Sequence, residues 1–372
     1  MRYHTVSRAF VLVASVLAAL GACALPSANT QSRARPDSRQ VFQPLAVGAR
    51  YGDLGSLDPA LIQFPSDYAI AQLIFPALVT LDERNQVAPW AADRWETSAD
   101  GLTWTFHLHP GMSWSDGTPI DANTYAYSIN RSLDPCTASS VGYYLSGTDV
   151  ELIAGSVAFN GVTCPPGQAV STESLIGKSI LVPDPLTLTL SLSHPAAYFP
   201  TALSYPTAWA VPPWLVKRYG TSSLSSGLTW TEHLAGLGGN LFTVKLWDHA
   251  GHIQLVRNER LWGVKPRLRE IDWTLYKDEN VLWADFQRSR GDTDVPAPSA
   301  IAAARKMPGF QQTPDLKTYY LTPNWSMPPF DDLRVRQALF LALDRSALAR
   351  EPPRCHAFAA DHPPCPLRHA RL

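Results

Sequence analysis

The chain lacks the short patterns that organise catalysis. It has no G-x-S-x-G, no H-E-x-x-H, no G-x-x-x-x-G-K-[ST] and no C-x-x-C. Those spacings gather a nucleophile, a metal or a phosphate cradle at one point, so their absence argues against the common hydrolase, nucleotide-binding and thiol-redox classes. Gly236-Leu237-Gly238-Gly239 has no third glycine at the spacing of a dinucleotide loop. Basic charge is also scarce. Formal net charge is −1, without the clustered Lys and Arg of a nucleic-acid footprint. After Leu20 no apolar run reaches the ~20 residues of a membrane-spanning helix. What the chain has in quantity is core-forming material. At 45% hydrophobic and 17% charged residues, it is not disordered by composition.

The N-terminus carries Arg2 and Arg8, then an apolar run from Ala9 to Leu20. That run has the length of a secretory h-region. Leu20-Gly21-Ala22-Cys23 closes it and resembles a bacterial lipobox. The expectation is a lipoprotein signal peptide over residues 1–22 and a lipid on Cys23. The alternative is an ordinary cleaved signal that contains a cysteine. Residues 23–42 are polar, lack apolar periodicity and read as a lipid-anchored flexible tether. Of the five cysteines, Cys136 and Cys164 share one region and can pair in an oxidising exterior. Spacing alone leaves that pairing open. About 350 residues follow the signal, which at ~150 per domain predicts two domains or more.

Local periodicity predicts several elements. Gln43–Gly48 reads as a first strand and Gly52–Pro59 as a loop. Ile70, Leu73, Ile74 and Leu78 fall on one helical face, predicting a helix over 67–78. Leu102, Trp104, Phe106 and Leu108 alternate with polar residues, a half-buried strand. Asp121 caps a helix whose buried stripe is Ala122, Tyr125, Ala126, Ile129 and Leu133. Leu186 to Leu192 alternates again. Asp248-His249-Ala250-Gly251 lies between two strands as a hairpin turn, and Ile271–Leu275 is strand-like. Asp331–Ala349 reads as a helix with Val335, Leu339 and Ala342 on one face. The class is mixed α/β.

Several blocks in this order resemble one family. They are Ala88–Trp95, Trp104–Leu108, Trp114-Ser-Asp-Gly-Thr-Pro119, Arg131–Pro135 and Thr137-Ala-Ser139. Further blocks are Leu255–Asn258 with Trp262-Gly263, and Asn324 followed by Pro328–Leu339 and Asp344-Arg345. Over about residues 45–349 the chain is similar to the extracytoplasmic solute-binding proteins of peptide ABC transporters. The resemblance implies a type II binding-protein fold of two lobes that close on a ligand by a hinge. It implies lobe 1 over 43–274, with an extra subdomain inserted at about 80–170, and part of lobe 2 over 275–350. The implied role is capture of oligopeptides for the permease subunits of an importer, without catalysis, cofactor or metal. The implied protein is a monomer on the outer face of the cell membrane, held by its lipid. Within the same family the ligand is alternatively a nickel complex, haem or an oligosaccharide.

The resemblance also implies ligand contacts. They are Gln63, Phe64 and Pro65 in the loop before the first long helix, and Tyr143 and Tyr144 after the Thr-Ala-Ser block. Gly239 and Asn240 lie in the turn before the strand that ends in tryptophan, and Asn324 and Trp325 in the block entering the second lobe. Two departures stand out. The turn reads Gly238-Gly239-Asn240, where Asn is expected to tolerate left-handed backbone. Residues 351–372, rich in Pro, Arg, His and Cys, read as an aberrant disordered tail. The expectation is an incomplete second lobe and weak peptide binding, or a non-binding remnant of a disrupted gene. His107 and His109 form an H-x-H on one strand face, but no third ligand is indicated.

Overall fold

The computed structural model describes residues 41–47, 52–147, 151–164, 171, 173–220, 229–292, 296, 300–311 and 322–344. The expected signal peptide over 1–22, Cys23, nearly all of the expected tether and residues 351–372 lie outside the described residues. The chain divides into two compact units, Met1–Val295 and Pro296–Leu372.

In the first unit the strands are β1 Val41–Phe42, β2 Leu45–Val47, β3 Val79–Leu81, β4 Val87–Pro89, β5 Ala92–Thr97 and β6 Thr103–Leu108. They continue as β7 Ile180–Asp184, β8 Thr187–Ser191, β9 Phe242–Trp247, β10 His252–Arg257 and β11 Glu270–Tyr276. One sheet has the order β1-β11-β10-β9, with β2 also pairing β11; β1 and β2 run parallel to β11 and the rest antiparallel. Ile271, Trp273 and Leu275 alternate inward along β11, the period-two pattern of a strand with one buried face. The β9–β10 hairpin turns as expected at Asp248–Gly251. His249 (φ 57°) and Gly251 (φ 100°) take left-handed backbone there. A Cβ on Gly251 would stand 2.8 Å from the Leu275 carbonyl oxygen, so the turn needs glycine.

The second sheet, β5-β6-β8-β7, is antiparallel throughout. Trp104, Phe106, Leu108, Leu188 and Leu190 are buried as the alternation predicts. Leu186 lies before β8 and is 39% exposed, because the Pro185–Leu186 turn carries it out of the strand. Against β7 and β8 packs the helix Ala122–Leu133. Asp121 caps it in a reciprocal box with Thr124, satisfying orphan N–H groups of the first turn. Tyr125, Ile129 and Leu133 on its stripe are fully buried. Each such side chain contributes about 1.5–3 kcal/mol by leaving water.

One helix boundary differs from the sequence-based expectation. The first long helix is Pro65–Ile74 rather than 67–78. Pro76 disfavours helical angles at Phe75, which turns extended at φ −106° and ψ 123°. The inserted subdomain expected at about 80–170 shares its sheet with Ile180–Ser191. The first unit extends to Val295. The Tyr276 hydroxyl donates to Asp285 at 3.0 Å in the helix Glu279–Gln287. The amides of Gln43 and Asp292 bond across to each other's segments at 2.7 and 2.8 Å.

The second unit contains the short helix Ile301–Ala304 and the helix Leu333–Ala342, the latter capped by Asp332. The expected helix over 331–349 is thus shorter, and none of its ten residues is buried; Leu339, Phe340 and Leu341 are 37, 58 and 80% exposed. Residues beyond Asp344 lie outside the described residues. Among the described residues no helix is long and apolar enough to cross a membrane.

Candidate functional site

Two loops of the first unit are clamped together. Asp58 caps a single 3-10 turn, Pro59–Leu61, by accepting the Ala60 amide at 3.0 Å. The carbonyls of that segment then accept from the Thr-Ala-Ser block. Ser139 Oγ reaches the Ala60 oxygen at 2.8 Å, the Ser140 amide reaches it at 3.0 Å, and Ser140 Oγ reaches the Ile62 oxygen at 2.8 Å. Ala138 turns left-handed (φ 50°) to make this fit. The clamp brings Gln63-Phe64-Pro65 and Tyr143-Tyr144 onto segments held to one another. Gln63 is exposed, Phe64 is 39% exposed, and Pro65 opens its helix, where proline's fixed φ is suited.

Asp67, in the first turn of that helix, accepts the amides of Gly55 at 2.9 Å and Ser56 at 3.1 Å. Burial pushes its carboxyl up to about 7, although these two donors and the Ser66 hydroxyl pull it down.

Beyond the clamp lies a tyrosine column. Tyr143 stacks on Tyr144 at 4.3 Å between ring centroids, and Tyr144 on Tyr205 at 4.6 Å. Behind them Tyr68 meets Trp209 at 5.0 Å. Burial, and secondly its hydrogen bond with Tyr143, holds the Tyr144 phenol far above its ordinary range. Burial does the same to Tyr68. These phenols are neutral hydrogen-bonding groups at any physiological pH.

The loop carrying this column is anchored from the other side. Cys136 and Cys164 form a disulfide, with Cα atoms 5.0 Å apart. Asp134 accepts the amides of Cys136 at 2.8 Å and Ser171 at 2.9 Å. Deeper still, Asp58 accepts the Arg131 guanidinium and the Trp230 indole N–H at 2.8 Å. Sequence reading missed this polar centre, and missed Tyr205. The only sequence signal was Arg131 itself, an arginine on the helix ending at Leu133.

Gly239 and Asn240, expected to face a ligand, are instead buried. Their amides both donate to the Ile74 carbonyl at 2.9 Å. Asn240 Nδ2 donates to the Gln72 oxygen at 2.6 Å, while its Oδ1 accepts the Trp90 indole N–H at 3.2 Å. The turn therefore supplies donors to the orphan carbonyls at the end of helix Pro65–Ile74. Asn240 is not among the residues with positive φ; its side chain, rather than left-handed backbone, is what the position uses. A Cβ on Gly239 would lie 2.8 Å from Ile120 Cδ1 and 3.0 Å from the Trp114 ring.

In the second unit, Asn324 Oδ1 accepts the Ser326 amide at 3.1 Å. Trp325 is 66% exposed, with the Arg336 guanidinium 5.6 Å from its ring centroid. On β6, His107 Nε2 faces Glu96 at 3.0 Å; His109 lies one residue past the strand rather than on it, and its Nδ1 donates to the Pro110 oxygen at 2.7 Å. Among the described residues no group of three His, Cys, Asp or Glu is placed to hold a metal.

Comparison with known proteins places these observations in context. The family profile described as bacterial extracellular solute-binding proteins, family 5 Middle, matches residues 86–352. A probable deoxycholate-binding periplasmic protein, YgiS of Escherichia coli, is 30% identical over 312 residues, covering 81% of this chain and 53% of that protein. The periplasmic oligopeptide-binding protein OppA of Salmonella typhimurium is 28% identical over 355 residues, covering 93% and 60%. The chain thus spans a little over half the length of these curated relatives. Among solved structures, Haemophilus influenzae OppA in complex with RPPGFSPFR superposes with a TM-score of 0.68 at 23% identity, covering 84% of this chain and 57% of that one. The E. coli murein tripeptide-binding protein MppA gives 0.68 at 23%, covering 85% and 58%. At such identity the likeness shows the fold, the mixed α/β architecture of the two-lobed binding proteins.

Proposed function

The chain belongs to family 5 of the bacterial extracellular solute-binding proteins, and from that membership we propose that it captures oligopeptides outside the cytoplasm for the permease of an ABC importer. The observation that carries this reading is the family match across residues 86–352, together with relatives named for oligopeptide binding. The relatives are binding proteins rather than enzymes, and the sequence has no catalytic constellation, so recognition without chemistry is the activity proposed. Gln63, Phe64, Tyr143 and Tyr144 are the contacts assigned to the first unit, and Asn324 and Trp325 those of the second. Gly239 and Asn240 act by packing. The Leu20–Cys23 motif supports export with a lipid on Cys23 that ties the chain to the outer face of the membrane.

The test is ligand-induced stabilisation of the full chain. A solute bound only by the native state raises stability by RT ln(1 + [L]/Kd), about 2.7 kcal/mol at a hundredfold excess over Kd. A melting-temperature rise with mixed tri- to pentapeptides, absent with nickel–histidine, haem and maltooligosaccharides, is the expected result. Deoxycholate, the solute in the name of one relative, is the control; a shift with it alone overturns the peptide reading. For the anchor, Cys23→Ser is expected to release the protein from membranes, and unchanged retention with unchanged mass refutes the lipid.

A further inference from the structure

We propose that Asp67 is a proton-operated positioning residue. Its carboxylate fastens the middle of segment 53–58, and taking up a proton loosens that strap against the Phe64 ring, so that ligand affinity changes with pH. The proposal rests on the peptide reading above only for the effect on ligand.

The strap is fixed at both ends. At its start, Asp53 accepts the Trp247 indole N–H at 2.8 Å and lies 3.0 Å from His249 Nδ1. At its end, Asp58 is held by the Arg131 guanidinium and the Trp230 indole N–H. Between these anchors one side chain closes it. The Gly55 amide donates to Asp67 Oδ1 and the Ser56 amide to Oδ2, so each oxygen carries one bond. The Ser66 hydroxyl adds a longer bond to Oδ1 at 3.4 Å. No lysine, arginine or histidine is among these partners. Asp67 is fully buried, so a bond lost here is not replaced by bulk water. Contact with Phe64 is direct. A Cβ on Gly55 would stand 2.8 Å from Asp67 Oδ2 and 2.9 Å from Phe64 Cδ2. The Gly55 backbone thus lies against both the carboxylate and the ring, and in close packing a shift of one is felt by the other.

A carboxylate only accepts hydrogen bonds, whereas a protonated carboxyl carries an O–H donor on one oxygen. That oxygen then faces an amide that also donates. Protonation therefore leaves the strap on one good amide bond instead of two. Burial favours the proton and pushes the carboxyl up to about 7, against the pull of the two amides and Ser66. Of the surrounding charges, Asp53 on the strap adds to the rise. Asp53 is itself bound to His249, which also meets Glu232. The helix Pro65–Ile74 has no other charged side chain, and Tyr68 stays a neutral phenol. On β9, which packs against that helix, Lys245 is paired with Glu270 at 3.1 Å. On acidification His249 gains a second N–H and keeps its hold on Asp53. The loosening is thus confined to Gly55, Ser56 and the Phe64 ring they touch.

The full chain is followed from about pH 5.5 to about pH 8.5 by two NMR readouts that need no ligand, alongside titration with mixed tri- to pentapeptides. One readout is hydrogen-exchange protection of the Gly55 and Ser56 amides, each rate divided by its unstructured value at the same pH. The other is the Phe64 ring proton shift. Both are expected to step near pH 7, with protection lost on the acid side. Peptide binding is expected to be about fivefold weaker at the acid end, the size of one net hydrogen bond. Asp67→Asn keeps one acceptor oxygen and does not titrate, so both steps are expected to vanish in it. The parent chain carries the test by itself if that variant fails to fold. Steps in both readouts without peptide binding at any pH support the positioning role and remove the peptide reading. Peptide affinity that stays constant across the range overturns the proposal and leaves the peptide reading standing. A step in amide protection with the Phe64 ring unmoved also overturns it. Neither steps nor binding overturns both.

Discussion

The Arg131 guanidinium grips the Asp58 carboxylate in a buried two-pronged ion pair, Nη1 to Oδ1 at 2.9 Å and Nη2 to Oδ2 at 2.5 Å, with both side chains at most 4% exposed. The two residues are 73 apart in sequence. The pair joins the helix Ala122–Leu133 to the turn that the Thr-Ala-Ser block clamps. It is therefore the centre from which both candidate loops are positioned.

Removing one partner of a buried pair leaves the other charge without compensation, which typically costs about 3–5 kcal/mol. Arg131→Met is expected to destabilise the chain by that amount in urea unfolding. Adding Asp58→Asn to the same chain is expected to restore much of the loss, because no charge then remains buried. A cost for Arg131→Met below about 1 kcal/mol would contradict the role assigned to the pair.

The Gly238-Gly239-Asn240 turn is expected to answer to stability rather than to ligand. A Cβ on Gly238 would stand 2.3 Å from the Phe242 carbonyl oxygen and 2.9 Å from Thr243 Cα. Both are backbone atoms of β9 and cannot swing aside. Gly238→Ala is expected to cost about 1–3 kcal/mol or more, the range for overpacking. Peptide affinity per folded molecule, measured by calorimetry, is expected to stay unchanged. A loss of affinity without a loss of stability would return the turn to the binding surface.

What was legible in the sequence was local. The alternation through Trp104, Phe106 and Leu108 and the Asp121 cap need only neighbours within one element, and both appear where periodicity places them. The end of the first helix was legible too, in Pro76, but Leu78 continued the apolar spacing and drew the expected boundary past it. Leu78 is buried all the same, from an extended segment rather than a helix. The Asp58–Arg131 pair and the Tyr144–Tyr205 stack join residues 73 and 61 positions apart. No period connects such pairs; only tertiary packing does. Asn240 misled for a related reason. Its amide answers to Gln72 and Trp90, which lie on other elements, so its turn gave no local sign that it would be buried.

Asp67 makes stability depend on pH in the acid range. Burial pushes its folded carboxyl up to about 7 from an ordinary 3.8, the amides of Gly55 and Ser56 opposing. A raised carboxyl means that the native state holds the proton more tightly than the unfolded chain. Its contribution is therefore complete below about pH 4 and is lost as pH rises through about 7. Asp67→Asn is expected to flatten the fall of unfolding free energy across that window. An unaltered slope would show that Asp67 is ionised in the native state throughout.

His249 is expected to act in an overlapping window that begins near pH 6.5. It occupies the tip of the β9–β10 hairpin with its Nδ1 3.0 Å from Asp53 Oδ2 and its Nε2 2.7 Å from Glu232 Oε2. Both nitrogens must carry protons for both contacts to be hydrogen bonds, so the geometry calls for the cation. Partial burial opposes that charge, but the two carboxylates outweigh it and raise the imidazole above 6.5. Trp247 supports the arrangement, its indole N–H donating to Asp53 Oδ1 at 2.8 Å and its ring lying 4.1 Å from the imidazole. A raised histidine contributes fully below its unfolded pKa and loses that contribution as pH climbs through the folded value. Stability is thus expected to fall more steeply above pH 6.5, where the His249 change overlaps the last of the Asp67 change. His249→Asn suits the test, since asparagine tolerates the φ of 57° at this position and does not titrate. In that variant the fall above pH 6.5 is expected to become shallower, while the slope from Asp67, which ends near pH 7, persists. Imidazole chemical shifts in the parent chain give an independent readout. A His249 titration midpoint at or below 6.5, or an Asn variant with the parental pH profile, would show that the two carboxylates do not hold the cation.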